Sequence, residues 1–177
     1  MQKFFPSSFT RLAIVIGTLT LSACAPKYDW REVRGTNAPF VILMPAKPAT
    51  LSRAVDLGGN TVTMTMTAAD INGVSFALGT AELPDAAKAQ AALAIMKSAL
   101  VKNINGSIRQ EKSSSSTANN QDISIEAVGS AADGQSRLLA ARFVARDKRI
   151  YQAVVLGREK DVTRDAIDTF LTSFKAN

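Results

Sequence analysis

The chain has 177 residues, with 21 Lys and Arg, 15 Asp and Glu, one Cys and no His. Without His, it lacks the side chain required by most zinc and copper sites and by Ser-His or Cys-His catalytic pairs. A single Cys excludes an internal disulfide, and basic residues that do not interleave with aromatics argue against nucleic acid as a partner. We therefore expect no metal, no cofactor and no histidine or thiol chemistry.

Residues 1–23 have the three-part pattern of a secretory signal peptide. Lys3 and Arg11 supply positive charge, residues 12–21 are predominantly apolar, and small residues follow them. The apolar stretch is too short for a membrane-spanning helix, which needs about 20 such residues. The pattern predicts export from the cytoplasm and removal of this segment.

The end of the signal carries a lipidation motif. Leu21-Ser22-Ala23-Cys24 resembles the bacterial lipobox, which implies cleavage between Ala23 and Cys24 and acyl chains on Cys24. Each buried methylene contributes about 0.8 kcal/mol, so two or three chains hold a protein on a bilayer. By resemblance to sorted lipoproteins, Ala25 favours the periplasmic face of the outer membrane, with the inner membrane and the cell surface left open. The alternative is an ordinary signal cleaved near Ala23 or Ala25, which leaves a free Cys.

Residues 24–38 are polar, contain Pro and Gly, and show no sustained period. We interpret them as the lipidated N-terminus and a tether, followed by one domain at residues 39–177. Trp30 could lie among lipid head groups, as interfacial aromatics do, or fold back onto the domain. The second interpretation is favoured.

Turn residues and alternation predict four strands in the first part of the domain. These strands are Phe40–Met44, Thr50–Leu57, Thr61–Thr67 and Val74–Ala81. Gly58-Gly59 and Asn72-Gly73 suit tight turns. The alternation of Thr61–Thr67 turns Val62, Met64 and Met66 towards the core. Methionine thioethers can bind copper, but no His or Cys assists them here, so core packing is favoured.

The sequence after the fourth strand predicts two helices and three further strands. A helix capped by Asp85 should run to about Asn103. Residues 113–121 have the composition of a mobile loop, either a binding loop or, as favoured, a solvated hairpin connection. The further predictions are strands at Ile123–Val128, Arg137–Arg146 and Arg149–Leu156, and a final amphipathic helix from about Val162 to Phe174. The fold class is α+β, an antiparallel sheet of about eight strands covered by two helices.

This order of elements resembles the PsbP-like fold, which is shared by a photosystem II extrinsic subunit, Mog-type proteins and several small bacterial lipoproteins. The resemblance rests on two short sequence motifs. They are Pro45-x-x-Pro48 after the first strand and Phe170-Leu171-Thr172-Ser173-Phe174 at the end. The resemblance implies an α/β/α sandwich. It also implies a module that binds proteins or helps assemble membrane complexes, by analogy of fold alone.

The titratable residues offer one candidate surface. Its members, which we call the basic patch, are Arg137, Arg142, Arg146, Lys148 and Arg149. They could bind anionic lipid, an anionic polymer or an acidic protein, or they could protect an edge strand from aggregation, which is the favoured interpretation. Asp161 and Asp165 lie one helical turn apart, where capping explains them better than acid–base catalysis.

We therefore expect a lipid-anchored, non-enzymatic module of the cell envelope whose partner is another envelope protein. The alternative is a binder of an anionic envelope lipid or polymer through the basic patch. A hydrolase that uses paired carboxylates is the remote alternative, because the acidic residues are mostly single.

Overall fold

A computed structural model describes residues 26–36, 38–117 and 119–176; the signal and Cys24 lie outside them. The described residues form ten strands and two helices, neither of which is long and apolar enough to cross a bilayer. Their bounds are β1 Arg31–Arg34, β2 Phe40–Met44, β3 Ala49–Asp56, β4 Thr61–Ile71, β5 Val74–Glu82, α1 Ala86–Asn103, β6 Ser107–Thr117, β7 Asn120–Ser130, β8 Ser136–Arg146, β9 Arg149–Arg158, α2 Arg164–Ser173 and β10 Lys175–Ala176.

The main sheet is antiparallel and has the order β3-β4-β5-β9-β8-β7-β6. The α+β class is thus confirmed, but the sheet has seven strands and not about eight. β2 leaves the main sheet and pairs with β1 and β10 in a second sheet of three strands. Pro45 and Pro48 explain the separation, because proline cannot donate to a ladder and interrupts the extended chain between β2 and β3.

Two apolar layers cover the faces of the main sheet. The alternation of β8 sends Leu139 and Phe143 to one face, where they join Leu93 of α1 in one cluster. It sends Leu138 and Val144 to the other face, where the cluster includes α2 and β2. β8 and β9 are consequently buried on both sides, and the described layers are α1, the main sheet, and α2 with the small sheet.

Within the segment expected to be a tether, residues 24–38, the described part from Tyr28 to Arg34 packs onto the domain. Tyr28 and Trp30 lie against Phe76, with ring centroids 6.0 and 6.1 Å from it. β1 then pairs with β2 in four register positions. Aromatic packing and the ladder outweigh the polar composition that suggested a tether, and Trp30 folds back as favoured.

The serine-rich stretch also differs from expectation. Residues 113–117 continue β6, and β7 begins at Asn120. Serine has little intrinsic preference for a strand, but β7 offers a complete ladder to pair with. Because β6 lies at the sheet edge, its polar side chains can remain in water.

The helix start and the tight turns follow their predicted chemistry. Lys88 N donates to Asp85 Oδ1 at 2.8 Å, so Asp85 is the N-cap of α1. Gly58 and Gly59 have φ of +67° and +80°, and Gly73 has +79°, values that glycine adopts without strain. These turns fix the register of the hairpins that they close.

The sheet has two distinct ends. At the first end, the Lys27 ammonium donates to the Asp161 carbonyl at 3.5 Å, and β9 finishes at Arg158. At the other end, the turn at Asp147-Lys148 joins β8 to β9. We call these the Lys27 end and the Lys148 end. A ten-residue strand such as β9 separates them by about 33 Å.

We predict that Gly129→Ala destabilises the domain by about 1–3 kcal/mol. A Cβ at Gly129 would lie 2.0 Å from the Ile104 carbonyl oxygen and 2.7 Å from Gly106 Cα, and both are backbone atoms that must shift. Urea unfolding measures the change. The neighbouring exposed variant Ser130→Ala is the control, and equal stability of the two variants would contradict this close approach.

Candidate functional site

The structure divides the basic patch between different parts of the sheet. β8 lies between β7 and β9, so the interpretation of its charges as protection for an edge strand does not apply. Arg146 is opposite Arg149 at the Lys148 end, whereas Arg137 is opposite Arg158 at the Lys27 end. Arg142 lies between them. The five cations therefore do not form one surface.

At the Lys27 end, the arginines have acidic partners. Arg137 Nη2 lies 2.7 Å from Asp133 Oδ2, and Arg158 Nε lies 2.5 Å from Asp161 Oδ2. The Gln135 backbone N–H and the Arg137 guanidinium both hydrogen-bond Asp133 and lower its pKa. Because these charges compensate each other, this end offers little net attraction to an anion.

Arg142 has a structural role. Its guanidinium binds both carboxylate oxygens of Asp122, with the shortest contact at 2.6 Å. It also donates to the Phe174 carbonyl at 3.1 Å and to the Leu171 carbonyl at 3.4 Å. These carbonyls belong to the end of α2, where no further helical turn supplies donors. Arg142 thus joins β7, β8 and the end of α2.

The remaining cations surround a cavity at the Lys148 end, which we call the distal hollow. Its volume is about 350 Å³. Its walls are formed by Pro39, Glu82, Arg146, Asp147, Lys148, Arg149 and Tyr151. It combines residues from the end of β5, the β8–β9 hairpin and the segment before β2, so no short motif could reveal it.

The charges of the distal hollow are fixed by a few contacts. Arg149 Nη2 lies 2.8 Å from Glu82 Oε2, and this hydrogen bond lowers the pKa of Glu82 and raises that of Arg149. The Tyr151 hydroxyl donates to the Pro39 carbonyl at 3.1 Å. Burial raises the Tyr151 pKa, and nearby Arg149 offsets part of that effect. At neutral pH, the Tyr151 side chain is therefore uncharged, and its hydrogen bond to Pro39 fixes its position between the charged groups.

The second candidate surface is the free edge of β3. All eight β3 residues pair with β4 without a bulge, and the strand is exposed along nearly its whole length. Leu57 N donates to Asn60 O at 3.0 Å. Because hydrogen-bonded pairs alternate in an antiparallel ladder, the backbone groups of Thr50, Ser52 and Ala54 point outwards.

The exposed side chains of β3 include one large apolar residue and one arginine. Leu51 is 70% exposed and lies opposite Met66, whose Sδ covers Gly79 in the next strand. Arg53, two positions on, has no ion pair within the described residues. An apolar side chain and a free cation thus stand side by side on one face of the edge.

The opposite edge, β6, is much less open to pairing. Its register with β7 shifts between Ile108 and Gln110 and again between Ser115 and Thr117. Its charged side chains form ion pairs, such as Lys97 Nζ with Glu111 Oε1 at 2.6 Å. Bulges and charges of this kind protect a sheet edge from further pairing, and β3 lacks the bulges.

The acidic residues do not form a candidate catalytic pair in the described part of the chain. Asp161 is bonded to Arg158, and Asp165 occupies the first turn of α2. Over the same residues, no group of three or more Asp, Glu, His or Cys converges on a point that could hold a metal ion.

Comparison with known proteins places the chain by its fold alone. No family model matches the sequence, and no curated protein matches it. The solution structure of cyanobacterial PsbP (CyanoP) from Synechocystis sp. PCC 6803 superposes with a TM-score of 0.53 at 12% identity, over 91% of this chain and 100% of that one. A Pseudomonas aeruginosa protein of unknown function, PA94, gives 0.34 at 10% identity over 75% and 85%. The CyanoP likeness supports the PsbP-like fold that the sequence predicts.

We predict that Arg142→Ala lowers the free energy of unfolding by about 1–3 kcal/mol, because it leaves Asp122 and two carbonyls without their donor. Arg142→Lys should restore little, since an ammonium cannot reproduce the bidentate contact. Urea unfolding, with the exposed Arg34→Ala as control, measures both. A loss no greater than that of the control would show that Arg142 is not structural.

Proposed function

We propose that the protein is a lipid-anchored, non-enzymatic module of the cell envelope that binds an extended segment of an envelope protein along β3. The observation that carries this proposal is the long, regular and exposed edge of β3. Such an edge accepts an additional strand through backbone hydrogen bonds. The proposed location is the periplasmic face of the outer membrane, held by acyl chains on Cys24.

The chemistry of β3 suggests what the partner segment contains. Leu51 and Met66 offer apolar area to one side chain of an added strand. Arg53 offers an unpaired cation two residues further on, which favours an acidic residue in the partner. The net charge supports this preference, since removal of Lys3 and Arg11 with the signal changes +6 to +4.

The position of the N-terminal segment supports a defined orientation on the bilayer. Lys27 is held at one end of the sheet by Asp161, and Cys24 precedes it by three residues. Such a link spans at most about 11 Å. Acylation of Cys24 would therefore keep the Lys27 end near the membrane and leave the β3 edge accessible along the side of the domain.

We predict that metabolic labelling with a clickable fatty acid marks the wild-type protein and leaves Cys24→Ala unlabelled. The labelled protein should fractionate with membranes, because several acyl chains bind essentially irreversibly. An unlabelled wild-type protein would overturn the anchor. In-cell cross-linking should recover the partner in lower yield from Cys24→Ala, and an equal yield would show that anchoring does not bring the two together.

We predict that Ser52→Pro abolishes partner cross-linking while stability changes little. Proline removes an outward-facing N–H and is tolerated at a sheet edge, where that group is not part of the existing ladder. Ser52→Ala keeps the N–H and loses the same contact with the Thr65 hydroxyl, at 2.8 Å, so it is the matched control. Retained cross-linking in Ser52→Pro, or a cross-linked segment without acidic residues, would contradict the proposed mode.

A further inference from the structure

We propose that the distal hollow is a binding site for a phosphate-type oxyanion, either free phosphate or a phosphomonoester. Three cationic side chains, Arg146, Lys148 and Arg149, converge on a cavity of about 350 Å³. This site does not depend on Cys24 or on the β3 edge. It lies elsewhere on the domain and takes a different class of ligand.

Two positive charges in the wall of the distal hollow lie directly opposite each other. Arg146 and Arg149 form the closing register pair of the β8–β9 hairpin, and both face the layer that contains Tyr151. Like charges at such a cross-strand pair destabilise a sheet. A bound anion between the two guanidinium groups would convert that repulsion into attraction.

The walls of the distal hollow contain fewer carboxylates than cationic side chains. Glu82 is bonded to Arg149 at 2.8 Å and also feels the charge of Lys148. Asp147, the other acid in the wall, lies 3.5 Å from the amide nitrogen of Asn119. Among the described residues, Arg146 donates only to the carbonyl of its own neighbour, Ala145, at 2.9 Å. Three cations thus face two acids, which leaves a net positive charge in the walls.

The arrangement of the donors favours a phosphate over a carboxylate as the bound anion. A carboxylate has two oxygens and is already represented in the cavity by Glu82. A phosphate group offers more oxygens and suits several donors that come from different directions. Arg146, Arg149 and Lys148 provide such donors from two strands and their turn. The Tyr151 hydroxyl is held by the Pro39 carbonyl at 3.1 Å, so one wall of the cavity is fixed before any ligand arrives.

The Cys24 anchor makes the bilayer at the Lys27 end an unsuitable source of the ligand, and this step alone rests on the proposed function. Ten residues of β9 separate the two ends, which corresponds to about 33 Å. A head group of the membrane nearest Lys27 would lie too far away. The ligand would arrive from the opposite side, as a soluble phosphate compound or as a phosphate carried by a second surface.

The test is titration of the purified full-length protein in detergent micelles by isothermal calorimetry. The probes are inorganic phosphate, glycerol 3-phosphate and acetate, and micelles of the same detergent that carry phosphatidic acid serve as the lipid arm. We expect saturable binding of both phosphate compounds and weaker binding of acetate. Arg146→Ala should weaken phosphate binding by about tenfold or more. The control is Lys47→Ala, which removes an exposed cation that has no described ion pair and does not line the distal hollow, and it should leave binding unchanged.

Each outcome decides the proposal. Binding of the soluble phosphates identifies a soluble ligand, and binding to the phosphatidic acid micelles alone identifies a lipid phosphate. Absence of saturable binding by the wild type, equal affinity for acetate, or equal losses in Arg146→Ala and Lys47→Ala would overturn the site. If circular dichroism shows that Arg146→Ala is unfolded, Lys148→Gln replaces it, since Lys148 is exposed in a turn.

Discussion

The burial of β8 and β9 on both faces is the constraint on which the rest of the structure depends. Because α1 covers one face of these strands and α2 with the small sheet covers the other, charged side chains have little room in the middle of the sheet. Arg142, the exception, needs Asp122 and two carbonyl groups to be accommodated. Charges that could meet a ligand are left for the ends of the strands and the outer edges, where both proposed surfaces lie.

The same constraint distinguishes the two edges of the sheet. β6 is bulged and held by ion pairs such as Lys97 with Glu111, while β3 is regular and offers its backbone to solvent. A sheet whose centre is stabilised from both sides can tolerate an edge that contributes little to the core. In β3, the side chains can therefore serve recognition instead of packing.

Much of the fold follows from local chemistry that the sequence displays. The alternation of Thr61–Thr67, the turns at Gly58-Gly59 and Asn72-Gly73, and the Asp85 cap are properties of neighbouring residues, and they are present as predicted. The strand at Arg31–Arg34 is different. Its partner β2 follows closely in the chain, but the contact that anchors Trp30 on Phe76 joins residues that are distant in sequence. The serine run in β6 likewise has no strand pattern of its own and depends on β7.

The candidate sites likewise combine features that the sequence displays with features that appear only in the folded chain. A two-residue turn at Asp147-Lys148 is visible in the sequence, and it sets the opposition of Arg146 to Arg149. Proximity in sequence suggested one basic patch, but strand length separates its members and tertiary partners neutralise several of them. Glu82 at the end of β5 and Pro39 just before β2 complete the distal hollow, and only the assembled fold brings them there.

The attachment of the N-terminal segment has a mechanical consequence. β1 enters from the Lys27 end and runs antiparallel to β2, so tension applied through the N-terminus would pull β1 lengthwise. In this shear geometry, the hydrogen bonds of the ladder bear the load together, whereas a strand peeled from its end loses them one by one. Tyr28 and Trp30, whose rings meet Phe76 edge-on, would receive the force first, so the domain is built to resist extraction along the direction of β1.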